Sequence, residues 1–276
     1  GTEMTMYRAV RGQNFPIGLG NMAVGRITEL GDGVDGLALG QRIAGYGPLR
    51  QTHTWRADRA LTMPDSMTWQ DAVCYDAAHF ALAGVRDARL RAGDHVAVSG
   101  LGSLGQMAAQ FARVSGAATV TVIDPIAARR EVAIRAGADA GIDPTTEDVP
   151  TRLRDIAGGR DVDIIIETSG VVSALNTALM ALAYSGTVAY LGWAKAFPAG
   201  LDLGERAHTE VPDIIFSRAC SEPNRDHPRW DFQRIMDTCW DWLSAGKFAC
   251  EGIISPVVDF ADVVEAYRDI DNHPEK

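Results

Sequence analysis

The sequence predicts an α/β protein in which a doubly wound parallel sheet follows a smaller β-rich module. Three observations lead to this fold class. From His95 onward, short apolar strands alternate with helical segments, the order that builds parallel βαβ units. A glycine-rich turn joins the first of these strands to its helix. Residues 1 to about 75 instead carry many glycines and short β-like runs, and no long helical period precedes Ser66.

The amino-terminal module is predicted to be all β. Its strand candidates are Val24–Ile27 and Gln41–Ala44. Glycine-containing turns are expected at residues 30–34 and 39–42, between strands. A helical pattern over residues 69–86 then follows the module.

The first helices of the α/β part are predicted from the glycines that close them. Glycine just past the last turn is the residue that most easily adopts the left-handed backbone of a helix end. The helix candidates closed in this way are Ser103–Ser115, Ala127–Ala136 and Val149–Ala157.

The later strands and the carboxyl-terminal segment complete the expected fold. Val162–Ile166 and Thr187–Leu191 are near-continuous apolar runs, which indicates strands buried on both faces of a parallel sheet. Apolar residues at helical spacing predict a helix over Phe232–Leu243. A strand over Gly252–Val258 and a helix over Phe260–Ile270 are expected to end the chain.

The segment His95–Asp124 has the pattern of a dinucleotide-binding βαβ unit. Gly100, Gly102 and Gly105 fit G-x-G-x-x-G between a predicted strand and a predicted helix. They would permit, in turn, the tight turn, the approach of backbone to a pyrophosphate, and close packing of helix on strand. Asp124 ends the second strand about 20 residues later and can accept a hydrogen bond from a ribose 2′-hydroxyl. The unit predicts NAD as cofactor, the alternative being a glycine-rich turn in another kind of α/β protein.

The composition restricts the partners. The chain has 276 residues, 46% of them hydrophobic and 22% charged, as in ordinary globular proteins of one large or two smaller domains. The net charge of −10 argues against nucleic acid and anionic membranes. No apolar run has the length of a membrane span, and no secretory pattern opens the chain. Four cysteines without a C-x-x-C pair predict reduced thiols. We therefore expect a cytoplasmic protein that acts on a small molecule.

Four stretches match motifs of one enzyme family, and these are Gly1–Thr5, Phe15–Gly25, Asp163–Gly170 and Phe260–Tyr267. Together with the order of the modules, they resemble the medium-chain dehydrogenase/reductase family, relatives of zinc alcohol and polyol dehydrogenases. The resemblance covers the whole chain. It implies a GroES-like catalytic domain over residues 1–80 and 220–276 and a Rossmann NAD-binding domain over residues 81–219. It also implies a homodimer through the Rossmann sheets, with Pro212–Ser217 as edge strand.

The ends of the sequence differ from the family pattern. The chain begins where members are already a few dozen residues in, and it stops before their usual final strand. A β-module without its first strands would leave unpaired edges, which proteins normally avoid. We therefore expect an incomplete record of a longer polypeptide.

The resemblance also assigns residues to the cofactor. It places the backbone amides of Ser103 and Leu104 at the pyrophosphate, and Arg129 near the adenosine ribose. The residues expected to flank the nicotinamide, at the ends of later strands, are Thr168, Ser169, Gly170, Leu191, Gly192 and Trp193. NAD is favoured because Asp124 would face the 2′-phosphate of NADP with like charge, although Arg129 and Arg130 leave NADP open.

The zinc-ligand positions of the family carry other residues in this chain. The usual His and Glu are replaced by Asn21 and Met22, neither of which is a good zinc ligand. The third position falls at Tyr75 or Asp76, and one carboxylate does not make a site. The four-cysteine lobe that binds structural zinc in many relatives is replaced by a short loop after Tyr46. We predict no bound metal.

Without zinc, a side chain must take the hydroxyl proton during alcohol oxidation. His79 has a suitable unperturbed pKa of about 6.5, although it can equally be a core histidine that is satisfied by backbone groups. Tyr75 can donate a hydrogen bond to a substrate oxygen, or it can be a core aromatic that fills the vacated metal position. Thr2 matches, by resemblance, the hydroxyl residue that relays the substrate proton.

The sequence is compatible with three functions. The first is an NAD-dependent oxidoreductase that transfers a hydride between a secondary alcohol and the nicotinamide without zinc. Its substrate would be a sugar, cyclitol or related polyhydroxy metabolite. The second is a zinc-independent NADPH enone or quinone reductase. The third is a non-catalytic NAD-binding protein.

Overall fold

The structure is a computed structural model that describes residues 2–8, 16–193, 200–204 and 206–273. Gly1, Phe15 and the side chain of Thr2 lie outside the described part. The described residues form ten α-helices and nine β-strands. The helices are α1 Thr2–Tyr7, α2 Trp69–Val73, α3 Tyr75–Asp87, α4 Ser103–Val114, α5 Ala127–Arg135, α6 Val149–Ile156, α7 Val172–Ala181, α8 Arg206–Glu210, α9 Phe232–Ser244 and α10 Val263–Asn272. The strands are β1 Met22–Arg26, β2 Arg42–Tyr46, β3 Leu61–Thr62, β4 His95–Ser99, β5 Thr119–Ile123, β6 Ala140–Ile142, β7 Val162–Glu167, β8 Leu182–Tyr190 and β9 Asp213–Phe216.

The chain divides into two compact units. One unit comprises residues 1–76 and 240–276, and the other comprises residues 77–239. The two boundaries fall inside helices α3 and α9. Each unit contains its own β-sheet.

The β-rich unit is built on an antiparallel sheet in the order β1-β2-β3. Met22 pairs with Tyr46 at one end of the β1–β2 ladder and Arg26 pairs with Arg42 at the other. Both predicted turns lie in the connection between these strands. Gly33 and Gly40 occupy them with φ of 74° and 79°, a backbone region that favours glycine. The two predicted strands and the turns between them are confirmed.

Two predictions for this unit are wrong. The module is not all β, because Thr2–Tyr7 forms helix α1. Six residues make fewer than two helical turns, too few to show a period, although Glu and Met favour helix. The strand predicted over Gly252–Val258 is also absent from the described residues, where a 3-10 helix over Glu251–Ile253 is followed by unpaired chain. Pro256 lacks the N–H that a strand ladder requires.

The second unit contains a six-stranded, all-parallel sheet in the order β6-β5-β4-β7-β8-β9. The first strand of this sheet along the chain is the central strand β4. The following strands extend the sheet first to one side of β4 and then to the other, and this order confirms the doubly wound architecture. Strands β7 and β8 are buried over Ile164–Ile166 and Val188–Tyr190, as their apolar runs predict. The predicted starts of α4, α5 and α6 are also confirmed.

The start of α6 and the ends of α5 and α6 are explained by residues close to them in the sequence. Asp148 caps α6, because its side chain accepts a hydrogen bond of 3.0 Å from the Thr151 amide. Gly137 and Gly158 follow α5 and α6 with φ of 106° and 68°. These glycines stop the helices where the sequence predicts, so that the next strand can enter the sheet.

Strand β9 lies at one edge of the parallel sheet, which confirms Pro212–Ser217 as an edge strand. Ile214 and Phe216 are exposed on it, Phe216 to 62%. The homodimer expected through this edge stays a prediction.

The four cysteines are free thiols, and Cys74, Cys239 and Cys250 are buried. Burial raises the pKa of the Cys239 thiol above its usual value. Among the described helices, none combines the length and the apolar character that a membrane crossing requires.

The approach of α4 to the end of β4 yields a prediction for Gly105→Ala. A Cβ on Gly105 would lie 1.8 Å from the Gly100 carbonyl oxygen, so that the helix must move away. We expect the substitution to lower the free energy of unfolding by at least about 2 kcal/mol in urea denaturation, although alanine is the better helix former. The matched control is Gly102→Ala, because a Cβ on Gly102 meets nothing within 4 Å. The control should stay within about 0.5 kcal/mol of the wild type, and equal losses in both variants would contradict the packing argument.

Candidate active site

The strand order places a topological switch point at the carboxyl ends of β4 and β7, where a ligand crevice is expected. The sheet grows in opposite directions from these two adjacent strands, and ligands of open α/β sheets bind at such a switch point. Ser99 ends β4 directly beside Glu167, which ends β7. The glycine loop after β4 and the segment Thr168–Gly170 after β7 therefore form adjoining walls of the crevice.

The glycine loop has the geometry of a phosphate cradle. Gly100 has φ of 87°, and a Cβ on it would lie 2.7 Å from the Ser169 amide nitrogen. Gly102 precedes the first residue of α4, and the space beside it is open to 4 Å. The amides of Ser103 and Leu104 belong to the first turn of this helix, where N–H groups have no partner within the helix and the helix dipole favours an anion. These features are compatible with a pyrophosphate at the loop, and the contacts of Ser103 and Leu104 with it stay a prediction.

Asp124 has a second role that the sequence did not reveal. The residue is only 4% exposed. Its Oδ2 accepts a hydrogen bond of 2.8 Å from the Leu101 amide, and its Oδ1 accepts one of 2.8 Å from the Ile126 amide. The carboxylate therefore fastens the glycine loop to the end of β5. Each oxygen of an ionised carboxylate can accept a further hydrogen bond, so the predicted contact with a ribose hydroxyl remains chemically available.

Two arginines follow Asp124 at the start of α5. The Arg129 guanidinium lies 3.9 Å from Asp124 Oδ2, with its side chain partly exposed. Arg130 donates to the Asp124 carbonyl oxygen at 2.5 Å and lies 3.3 Å from Asp143 Oδ2. Arg130 is thus held by two oxygens, whereas Arg129 lies nearer to the surface beside the predicted ribose position.

The other predicted cofactor residues line the same edge of the sheet. The Thr168 amide donates to the Ser99 carbonyl oxygen at 2.9 Å, and the Thr168 hydroxyl lies 2.7 Å from the Gly100 carbonyl oxygen. The amides of Leu191 and Gly192 donate to the Glu167 carbonyl oxygen at 2.8 and 3.0 Å. Trp193 follows them with its side chain exposed. The structure therefore brings together the ends of β4, β7 and β8.

The predicted catalytic side chains Tyr75 and His79 are both buried. Tyr75 is 1% exposed in the β-rich unit, with its ring 5.2 Å from that of Trp240. His79 is 2% exposed in the other unit, with its ring 5.3 Å from that of Phe232. These surroundings match the core alternatives of the sequence analysis, and the catalytic roles stay predictions.

The residues at the family's zinc-ligand positions do not fit a catalytic zinc. The Asn21 side-chain amide donates a hydrogen bond of 2.6 Å to Asp76 Oδ2, so that an N–H group points at the carboxylate a metal would need. Glu3 accepts hydrogen bonds from the Gly20 amide and from the Tyr267 hydroxyl. Across the described residues, no group of three or more His, Cys, Asp or Glu side chains is placed to hold a metal ion. A catalytic zinc requires about three such ligands.

The part that the Glu167 side chain plays was not predicted from the sequence. Its carboxylate is fully buried, and burial raises its pKa, against the effect of hydrogen bonds from Ser169, Gly170 and Ser99. An acidic residue directly after the apolar run Ile164–Ile166 was the available signal, because a charge at the end of a buried strand requires hydrogen-bonding partners.

Comparison with known proteins agrees with this geometry. The family described as zinc-binding dehydrogenase matches residues 103–218. D-guloside 3-dehydrogenase of Escherichia coli K12 is 48% identical over 262 residues, covering 94% of this chain and 75% of that protein.

Two solved structures share the fold. Galactitol-1-phosphate dehydrogenase from Escherichia coli has a TM-score of 0.77 at 21% identity, over 98% of this chain and 85% of that chain. A protein from Escherichia coli CFT073 described as a short chain alcohol dehydrogenase, complexed with NADH, has a TM-score of 0.76 at 21% identity, over 98% and 84%. At this identity the likeness concerns the fold, and it confirms the predicted pairing of a Rossmann with a GroES-like domain.

The doubly wound sheet, the phosphate cradle and a relative that is 48% identical over most of its length all point to one family. The chain belongs to the medium-chain dehydrogenase/reductase family, as an alcohol dehydrogenase-like oxidoreductase.

Proposed function

We propose that the protein oxidises a secondary hydroxyl group of a sugar derivative, with NAD as hydride acceptor and without a catalytic zinc ion. The observation that carries this proposal is the glycine loop at the switch point of the sheet, which leaves open space beside Gly102 and is hydrogen-bonded to the Asp124 carboxylate. When bound, NAD supplies a nicotinamide ring that accepts a hydride from the carbinol carbon as the hydroxyl becomes a carbonyl.

The chain's own residues would hold the cofactor in three places. Backbone amides of Ser103 and Leu104 would receive the pyrophosphate at the start of α4. Asp124 would accept a hydrogen bond from the ribose 2′-hydroxyl, and its negative charge disfavours the 2′-phosphate of NADP. Arg129 would lie beside the same ribose, and the ends of β7 and β8 would flank the nicotinamide.

A glycoside is the substrate class that we infer from similarity. The relative that is 48% identical over 94% of this chain is a D-guloside 3-dehydrogenase. The sequence predicts a polyhydroxy substrate, and this relationship narrows the class to a sugar ring with a free secondary hydroxyl. The 3-hydroxyl is the first candidate for oxidation.

The proton of that hydroxyl must leave as the hydride does, so a side chain has to accept it in the absence of zinc. The candidates remain His79, Tyr75 and Thr2. Support for a zinc-free site comes from Asn21 and Asp76, which bond to each other at the positions that hold ligands in the family.

The substrate proposal predicts NADH formation with glycosides. Purified full-length protein should reduce NAD in the presence of at least one member of a panel of methyl and phenyl D-hexopyranosides, and mass spectrometry should show a product that has lost two hydrogens. Free polyols and simple secondary alcohols serve as the comparison set. Reduction of enones with NADPH and no glycoside oxidation would instead support the reductase alternative, and cofactor binding without any turnover would support a non-catalytic protein.

The cofactor proposal predicts a preference for NAD that depends on Asp124. The ratio of NADP to NAD dissociation constants should exceed about 10 in the wild type and fall by about tenfold in Asp124→Asn, because the like charge facing the 2′-phosphate is removed. A general loss of stability affects both constants and leaves their ratio unchanged. The control is Asp139→Asn, at the opposite end of the sheet, where the carboxylate accepts the Val120 amide. A wild type that prefers NADP would overturn the assignment.

The zinc-free proposal predicts resistance to chelation. Protein treated with a strong chelator and then passed through a desalting column should keep its full rate of NAD reduction, with metal far below one ion per chain by mass spectrometry. Activity that is lost on chelation and restored by zinc would contradict the proposal.

A further inference from the structure

Glu167 is a buried carboxylate that accepts hydrogen bonds from the segment that follows it and from Ser99 at the end of β4. The residue ends β7 and is 0% exposed. Its Oε1 accepts hydrogen bonds from the Ser169 hydroxyl and, at 2.9 Å, from the Ser169 amide. Its Oε2 accepts one of 3.0 Å from the Gly170 amide. These bonds hold the backbone of Thr168–Gly170 in a single turn.

The backbone of the same residue holds a second segment. The Glu167 carbonyl oxygen accepts hydrogen bonds from the amides of Leu191 and Gly192, which follow β8. One residue therefore fixes the chain after β7 through its side chain and the chain after β8 through its main chain.

The segments that Glu167 holds pack closely against the glycine loop and against each other, so that no additional methyl group fits between them. A Cβ on Gly100 would lie 2.7 Å from the Ser169 amide nitrogen, and a Cβ on Gly192 would lie 2.8 Å from the Gly170 amide nitrogen. Because backbone meets backbone at these contacts, a shift of Thr168–Gly170 by a few tenths of an ångström also displaces its neighbours.

The hydrogen bonds at Glu167 require the two accepting oxygens of a carboxylate as well as a side chain of this size. An ionised carboxylate presents two accepting oxygens, and here each of them receives a backbone N–H. A glutamine of equal size presents one oxygen and one NH₂ group, which cannot pair with an N–H. A buried charge costs free energy that an apolar residue would avoid, so its presence calls for a reason.

We infer that Glu167 is a positioning residue for the dinucleotide: it holds the segments after β7 and β8 in the shape that receives the cofactor. The inference rests on the proposed function, since it takes the crevice to be the cofactor site. Glu167 acts through Ser169, Gly170 and the strand ends rather than by touching the cofactor.

The test is the affinity of Glu167→Gln for NAD, measured by titration calorimetry on the full-length protein. The variant keeps the side-chain volume and leaves one amide N–H without an acceptor, so we expect NAD to bind at least about tenfold more weakly. At saturating NAD the kcat should stay within a few-fold of the wild type, while the KM for NAD rises, because bound cofactor restores the ordered segments.

Asp163→Asn is the matched control on the same strand. Asp163 accepts a hydrogen bond of 2.7 Å from the His95 amide, at the amino ends of β4 and β7 and away from the crevice. We expect this variant to lose thermal stability and to keep the wild-type affinity for NAD. Wild-type affinity in Glu167→Gln, or equal losses of affinity in both variants, would overturn the positioning role.

A second variant covers the case in which Glu167→Gln does not fold. Ser169→Ala removes the hydroxyl that donates to Oε1 and accepts from the Val171 amide at 3.0 Å, while the carboxylate is kept. We expect a weakening of NAD binding by about threefold or more, and unchanged affinity would overturn the inference. If the wild type itself binds no dinucleotide, the proposed function fails and the inference falls with it. If the wild type binds NAD and the variants bind it with the same affinity, the proposed function stands and the inference alone fails.

Discussion

The contact between Gly105 in the first turn of α4 and the carbonyl oxygen of Gly100 is the constraint on which the candidate site depends. No side chain fits between them, so the start of the helix lies directly on the turn that ends β4. This contact aims the free amides of the first helical turn at the crevice. It also leaves open space beside Gly102, where a phosphate can approach the backbone. The position of the phosphate cradle thus follows from the absence of one methyl group.

Two buried acids then frame the crevice from either side of β4. Asp124 follows β5 and accepts the amide of Leu101 in the glycine loop. Glu167 ends β7 and accepts the amides of Ser169 and Gly170. In both cases a carboxylate at the end of a parallel strand satisfies backbone N–H groups of an irregular turn, which would otherwise be buried without partners. The loops around the crevice are therefore held by charge-assisted hydrogen bonds rather than by regular secondary structure.

Much of the fold could be predicted because the relevant signals are local. The starts of α4, α5 and α6, the glycines that end the helices, and the apolar run at Ile164–Ile166 each depend on a few neighbouring residues. The doubly wound parallel sheet followed from the alternation of strands and helices, whereas its strand order was not predicted. The failures have equally local causes: α1 is too short to show a period, and the segment around Pro256 resembles a strand but finds no partner within the described chain.

The site was harder to predict because burial and partner choice depend on residues far apart in the sequence. Spacing alone could not show that the Asp124 carboxylate reaches back to Leu101, or that Tyr75 and His79 pack against aromatic rings of residues more than a hundred positions away. Nor could it show that Asn21 bonds to Asp76, although it did reveal that Asn21 and Met22 replace the usual zinc ligands of the family.

In the proposed reaction a hydride moves from a sugar carbon to NAD. The most direct measurement uses a hexopyranoside that carries deuterium on every ring carbon with a free hydroxyl, with mass spectrometry of the cofactor after turnover. We expect the reduced cofactor to contain one deuterium and the sugar product to have lost it. Reduced cofactor without deuterium, formed while that sugar is consumed, would contradict hydride transfer from the sugar ring.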